Sequence, residues 1–217
     1  MKDPESEQSL RLVARSFSAV GHELAGPLQT TLNALFVLER KKALVPPELL
    51  SSLRALESSV ETLRARLERV LQLPRALHSF RQDTTGPDVI ERALEPLGPE
   101  APRVHCEVGA GGRVRIDGEA AALALTELLL NALQATPGGE IFLAVSSEET
   151  ALVARVTNAS TAAPPRAFAP FSRSEGKTLA LGLPIAKAVA LSHGGALELE
   201  HQAGLVVTTL TLPGGPR

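Results

Sequence analysis

The chain has 217 residues with no tryptophan, no tyrosine and one cysteine, Cys106. A single thiol excludes an intrachain disulfide and any cysteine-based metal cluster, so nothing asks for an oxidising compartment. Six phenylalanines are the whole aromatic complement, too few for the stacking platforms on which single-stranded nucleic acid is bound. Excess charge is missing too. The formal balance is −2, which gives no basic field for a nucleic-acid backbone. Long apolar runs are also absent. The most apolar stretch, 120–135, is interrupted by Thr126, Glu127, Asn131 and Gln134, short of the roughly 20 apolar residues of a membrane span. The start, MKDPESEQSL, is polar and acidic without a basic segment leading into an apolar one, so no secretory signal is expected. The expectation is a cytoplasmic protein with neither membrane nor nucleic acid as partner. What is present, 44% hydrophobic and 21% charged residues, is ordinary for a globular fold.

The pattern changes near residue 80. From about Glu5 to Ala43 apolar residues recur at Leu10, Val13, Phe17, Val20, Leu24, Leu28, Leu35 and Leu38, a stripe roughly 80° wide on a helix of ~100° per residue. Pro46-Pro47 breaks that helix and opens a second one. It carries Leu49, Leu53, Leu56, Val60, Leu63, Leu67 and Val70 on one face, and Pro74 marks its expected end. Two amphipathic helices joined by a short turn predict an antiparallel hairpin. One hairpin cannot cover both stripes, so a homodimer forming a four-helix bundle is expected. Residues 1–80 are read as this dimerisation unit, with a polar linker over Arg75–Pro87.

Residues 81–217 predict a mixed α/β domain. Helices are expected over Asp88–Leu97, Glu119–Thr136 and Leu183–His193, with Asp117 as an N-cap and Gly194-Gly195 as a stop. Strands are expected over Arg103–Val108, Arg113–Ile116, Ile141–Ser146, Ala151–Val156, Leu197–His201 and Val206–Leu212. The fold class is therefore α plus α+β, with the helical hairpin followed by an α/β sandwich whose helices lie on one face.

His22 lies ~160° from the centre of the first apolar stripe and is expected to face solvent, with Glu23 beside it and Pro27 bending the helix just beyond. An exposed imidazole with one free nitrogen can attack a phosphoryl group, and a neighbouring carboxylate can hold the proton of the other nitrogen. An isolated histidine of this kind is usually only solvated. Here it sits in Phe17-x-x-x-x-His22-Glu23-Leu24-x-x-Pro27-Leu28. This resembles the H-box of the two-component histidine kinases. The resemblance implies that His22 is the phosphoacceptor and Glu23 its acid/base neighbour. Gly26 stands where members that are also phosphatases carry Thr or Asn, so phosphatase activity is not implied.

The second half extends the resemblance to that family's ATP-binding (GHKL, Bergerat-type) sandwich. Glu127 and Asn131, one helical turn apart, look like its N-box, and the resemblance implies that Asn131 holds Mg²⁺ against the phosphates of ATP. Phe168-Ala169-Pro170-Phe171 resembles its F-box. Two boxes depart. Asn158 and Ser160 stand in place of the Asp and Gly that receive adenine. Thr178-Leu179-Ala180-Leu181-Gly182-Leu183 keeps only Gly182 of the glycine-rich phosphate loop, and a Cβ at Thr178 and Ala180 crowds the backbone cradle. Lys177 could still meet a phosphate. The four other histidines, His78, His105, His193 and His201, have no metal-ligand spacing and are read as structural or solvated.

Three functions follow. In the first, His22 takes a phosphoryl group from one receiver-domain aspartate and passes it to another without ATP, as in phosphotransferases that combine a hairpin dimer with a decayed kinase domain. In the second, Mg²⁺-ATP phosphorylates His22 and a response-regulator receiver collects the group. The third is a non-catalytic dimeric scaffold or inhibitor. In both enzymatic cases the receiver is expected on the bundle below His22, near the Ala43–Glu48 turn.

Overall fold

The computed structural model describes residues 24–41, 46–76, 80–148, 150–159 and 182–215. The chain divides into two compact units, Met1–Pro74 and Arg75–Arg217.

In the first unit, residues 24–40 (α1) and Pro47–Ala76 (α2) are helical. The shielded line on α1 is Ala25, Leu28, Leu32 and Leu35, and on α2 it is Leu50, Leu53, Glu57, Val60, Leu67 and Leu71. These spacings of three, four and seven are those of a helix–helix seam. Leu28, Leu35, Leu53, Val60 and Leu67 of the expected stripes lie on these lines. Leu24 and Leu38 on α1, and Leu49, Leu56 and Leu63 on α2, are about half exposed, in rows beside the seam. The expectation that Pro74 ends the helix is corrected, since α2 continues to Ala76. A proline this close to the end deletes one hydrogen bond of the last turn without stopping the backbone.

The second unit runs β1 (Gln82–Thr84), α3 (Gly86–Leu94), 3₁₀ turns over Glu95–Arg103, β2 (Val104–Gly111), β3 (Val114–Ile116), α4 (Gly118–Ala135), β4 (Ile141–Glu148), β5 (Ala151–Ala159), α5 (Gly182–His193), β6 (Ala196–Gln202) and β7 (Leu205–Pro213). Five strands form a sheet ordered β2-β4-β5-β7-β6, in which β2 and β4 are parallel and the other pairs antiparallel. β1 and β3 make a separate antiparallel pair.

Alternation along the strands sends one face of the sheet inward. Ile141, Leu143, Val145, Leu152, Ala154, Val156, Leu210 and Leu212 are buried under α3, α4 and α5. The other face carries His105, Glu107, Phe142, Ala144 and Arg155 in solvent. Asn158 is the last inward position of β5, one step beyond the apolar row. α4, with its Ala and Leu residues, is buried along nearly its whole length, because the sheet, α3 and α5 surround it.

The residues expected to form a polar linker instead contain the end of α2, strand β1 and the first turn of α3. That turn starts at Gly86, ahead of the expected Asp88, because Thr85 and Asp88 form a capping box that satisfies two amides at once. Hydrogen bonds from Thr85, side chain before backbone, hold the Asp88 carboxyl below the usual carboxylate range. The helix stops at Leu94, short of the expected Leu97, because Pro96, Pro99 and Pro102 favour 3₁₀ turns and Gly98 leaves helical space at φ 53°.

His193 closes α5 and is 3% exposed. Desolvation lowers its pKa, the backbone carbonyl of Val189 acts against this, and of the two charged groups that face it Arg81 lowers it while Asp117 raises it. A histidine depressed in the folded state binds its proton more readily when unfolded. Stability is therefore complete above the ordinary pKa of about 6.5 and falls as the pH drops below it, by at most about 1.4 kcal/mol per pH unit for one group. Urea unfolding between pH 7.5 and 5 is expected to show this loss, and H193Q to flatten it.

Candidate functional site

The first turn of α5 begins at Gly182 and Leu183 and takes Pro184 where its missing N–H costs nothing. Gly182 lies directly against the middle of α4. A Cβ built on it would stand 2.6 Å from Asn131 Nδ2, 3.0 Å from Asn131 Oδ1 and 2.8 Å from Glu127 Oε2. A side chain here would oblige the ends of Asn131 and Glu127 to move aside. The i, i+4 spacing that put Glu127 and Asn131 on one helix face thus turns both toward the start of α5. Glu127 is 2% exposed.

Asn131 Nδ2 is buried and has no hydrogen-bond partner among the described residues. Such a donor costs about 1–3 kcal/mol if left unmet and needs an explanation. An Asn side chain offers both an amide N–H for an anionic oxygen and a carbonyl oxygen for a hard cation. The orphaned amide, the neighbouring carboxylate and the Cβ-free approach of Gly182 fit a Mg²⁺-bound phosphate.

Asn158 lies at the far end of α4, apart from the Gly182 cluster in its contacts, and is 5% exposed. Its Nδ2 donates to Thr136 Oγ1 at 3.0 Å and to the Ala159 carbonyl at 3.3 Å. Thr136 Oγ1 donates its single proton to the same carbonyl at 2.7 Å, so it can only accept from Asn158. This fixes the orientation of the amide and leaves Oδ1 as the acceptor that a ligand's amino group would meet.

One contributor to this end was missed in the sequence. Arg103 was expected to begin a strand, yet its guanidinium donates to the Thr136 carbonyl and, through Nε at 2.9 Å and Nη2 at 2.7 Å, to the Gly139 carbonyl. It caps the carbonyl end of α4, where a cation is favourable. No local signal pairs residues 33 positions apart.

His22, Glu23, Ser160, Phe168 to Phe171, Lys177, Thr178 and Ala180 lie outside the described residues. Among the described residues there is no cluster of three or more His, Cys, Asp or Glu side chains able to hold a metal, and no helix is long and apolar enough to cross a membrane. Partial burial raises the pKa of the Cys106 thiol, which lowers its thiolate fraction. A depression of about 400 Å³ lined by His105, Glu107, Phe142 and Arg155 lies on the open face of the sheet, away from α4.

The family model for histidine kinase-, DNA gyrase B- and HSP90-like ATPases matches residues 116–216. Full-length ShkA, crystallised in complex with AMPPNP, is similar over 94% of this chain at 20% identity with a TM-score of 0.76, and this chain spans 47% of its length. The mycobacterial sensor histidine kinase MprB is similar over 64% of this chain and 100% of its own, at 26% identity and a TM-score of 0.53. The histidine kinase ThkA, crystallised in complex with the response regulator TrrA, is similar over 97% of this chain and 66% of its own, at 19% identity and a TM-score of 0.62. No curated protein matches the sequence.

Proposed function

We propose, for a chain whose residues 116–216 match the family model for histidine kinase-, DNA gyrase B- and HSP90-like ATPases, that it is a two-component phosphorelay protein carrying a phosphoryl group on His22. The reading is carried by the H-box sequence joined to this domain in one chain. In the forward step the free imidazole nitrogen of His22 attacks the phosphorus of a receiver's aspartyl phosphate. The N–P bond forms, the P–O bond breaks and the aspartate leaves as carboxylate. Glu23 holds the proton on the other ring nitrogen and keeps the attacking one basic. Reversal onto a second receiver empties the histidine. Gly26 lies exposed on α1, and a Cβ there would meet nothing within 4 Å, so no packing constraint demands glycine at the position where phosphatases place a polar side chain.

The orphaned Asn131 amide favours a second reading, an ATP-dependent histidine kinase. Asn131 and Glu127 would face Mg²⁺ and the phosphates, Asn158 Oδ1 the adenine amino group, and Gly182 with Lys177 the phosphate chain. Bound ATP would supply the phosphoryl group. The experiment that separates the two readings offers the protein radiolabelled Mg²⁺-ATP and, separately, a labelled phospho-receiver. Label on His22 from the receiver alone supports the relay, label from ATP supports the kinase, and label from neither overturns both.

Asn158 is open to a directed test. N158D restores a charged acceptor, and a charge-assisted hydrogen bond exceeds a neutral one by about 1.4 kcal/mol, or about tenfold in affinity. The carboxylate cannot donate to Thr136, so the same variant is expected to lose about 1 kcal/mol of stability. Calorimetric titration with Mg²⁺-ATP and a thermal melt read the two effects.

Homodimerisation belongs to the same reading. The half-exposed rows Leu24/Leu38 and Leu49/Leu56/Leu63 flank the buried seams, and a second hairpin would cover them as a four-helix bundle. Light scattering is expected to give about twice the 22.8 kDa chain mass, and L56E to return it to one chain, since a buried unpaired carboxylate is costly.

A further inference from the structure

A second set of contacts joins α4 and α5, at their opposite ends from Gly182. Asp117 caps α4 by accepting from the Ala120 amide through Oδ1 at 2.9 Å. Its Oδ2 accepts from the Phe80 amide at 2.7 Å. Its own backbone N–H donates to His193 Nε2 at 3.1 Å. His193 Nδ1 lies 2.8 Å from the Val189 carbonyl. A carbonyl only accepts, so Nδ1 carries the proton and Nε2 presents its lone pair to Asp117. Arg81 closes the set by donating through Nη2 to the His193 carbonyl at 3.0 Å and through Nη1 to the Pro213 carbonyl at 3.5 Å. Asp117 and His193 are 8% and 3% exposed, so water does not substitute for these bonds.

The two helices are antiparallel and touch at both ends. Along α4, Asn131 lies 14 residues beyond Asp117, about 21 Å, and along α5 Gly182 lies 11 residues before His193, about 17 Å. One end is pinned by directional hydrogen bonds. The other is a contact without a Cβ, beside an amide that has no partner among the described residues. Rigid helices carry the spacing fixed at the Asp117–His193 end to the Gly182 end.

We propose that Asp117 and His193 are positioning residues whose joint, fastened by Phe80 and Arg81, sets how closely α5 approaches α4 at Gly182 and so the room around Asn131 and Glu127. The proposal rests on reading the Gly182–Asn131–Glu127 cluster as the face that receives a nucleotide's phosphates. None of the four residues touches that ligand. They act through the helices.

The test is amide hydrogen exchange on the full-length chain without nucleotide, comparing wild type with H193L, H193Q and R81A. H193L removes the acceptor. H193Q keeps one, because its Oε1 can take the Asp117 N–H. R81A removes the fastening and leaves the histidine. H193L is expected to speed exchange about tenfold, and R81A about threefold, at residues 127–133 of α4 and 183–186 of α5, while β5 and β7 stay within about twofold of wild type. H193Q is expected to behave as wild type. Acceleration confined to residues 117–121 and 189–195 in both H193L and R81A, or H193Q indistinguishable from H193L, overturns the proposal. If H193L does not fold, R81A decides by the same pattern. A thermal-shift titration of wild type with Mg²⁺-ATP runs alongside. Its failure would overturn the nucleotide reading and leave the exchange result standing.

Discussion

An H22A chain is expected to take up no label from either donor, a drop of at least about 10³-fold in phosphorylated protein, because the substitution removes the nucleophile itself. E23Q is expected to slow the same step by about 10²-fold while leaving it measurable, since the amide keeps its size and loses the charge that holds the imidazole proton. His22 belongs to the unit Met1–Pro74, so the melting transition of the second unit should not change and serves as the control for folding. The measurement is transfer of radiolabel followed by acid treatment, which hydrolyses a phosphoramidate and spares phosphoserine. Label that persists in H22A would place the acceptor elsewhere. A pathway output unchanged by H22A would favour the scaffold reading.

The largest expected effect on stability belongs to Gly195→Ala. Residues 190–195 end α5 in a Schellman motif: Gly195 N–H donates to the Ala190 carbonyl at 2.8 Å, Gly194 N–H to the Leu191 carbonyl at 3.0 Å, and Gly194 takes φ 75°. A Cβ on Gly195 would lie 1.9 Å from the Thr211 carbonyl oxygen and 2.8 Å from Pro213 Cδ. Thr211 is paired on both sides, with Val153 of β5 and Ala196 of β6, so its backbone cannot retreat without opening the sheet. G195A is expected to cost about 3 kcal/mol or more, at the upper end for overpacking. G194A, which meets nothing within 4 Å and pays only for its left-handed backbone, should cost about 1–2 kcal/mol. Urea midpoints of both variants decide. A smaller loss for G195A than for G194A would mean that β7 does not approach α5 so closely.

Most elements of the second unit were legible because each is set by local chemistry. Asp117 as an N-cap, the Gly194-Gly195 stop and the alternation of β5 and β7 need only neighbours in sequence. The misses also have local causes that were outweighed. Pro74 reads as a terminator, yet one lost hydrogen bond does not stop a helix already in its last turn. Thr85 and Asp88 spell a capping box that was overlooked inside a segment read as linker. The apolar stripes of α1 and α2 are wide enough for two seams, so the sequence alone does not say which row meets the partner helix within the chain.

For the candidate site, the sequence by itself determined which chemistry is available: the His22–Glu23 pair, the Glu127–Asn131 turn, and the losses at Asn158 and Ser160. Tertiary structure alone decided that Gly182 stands against Asn131 and Glu127, that Thr136 orients the Asn158 amide, and that Asp117, His193 and Arg81 share one joint. Such pairings link residues from 22 to 112 positions apart. Propensity and periodicity act over a few residues, whereas those distances close only when sheet order and register bring separate segments together.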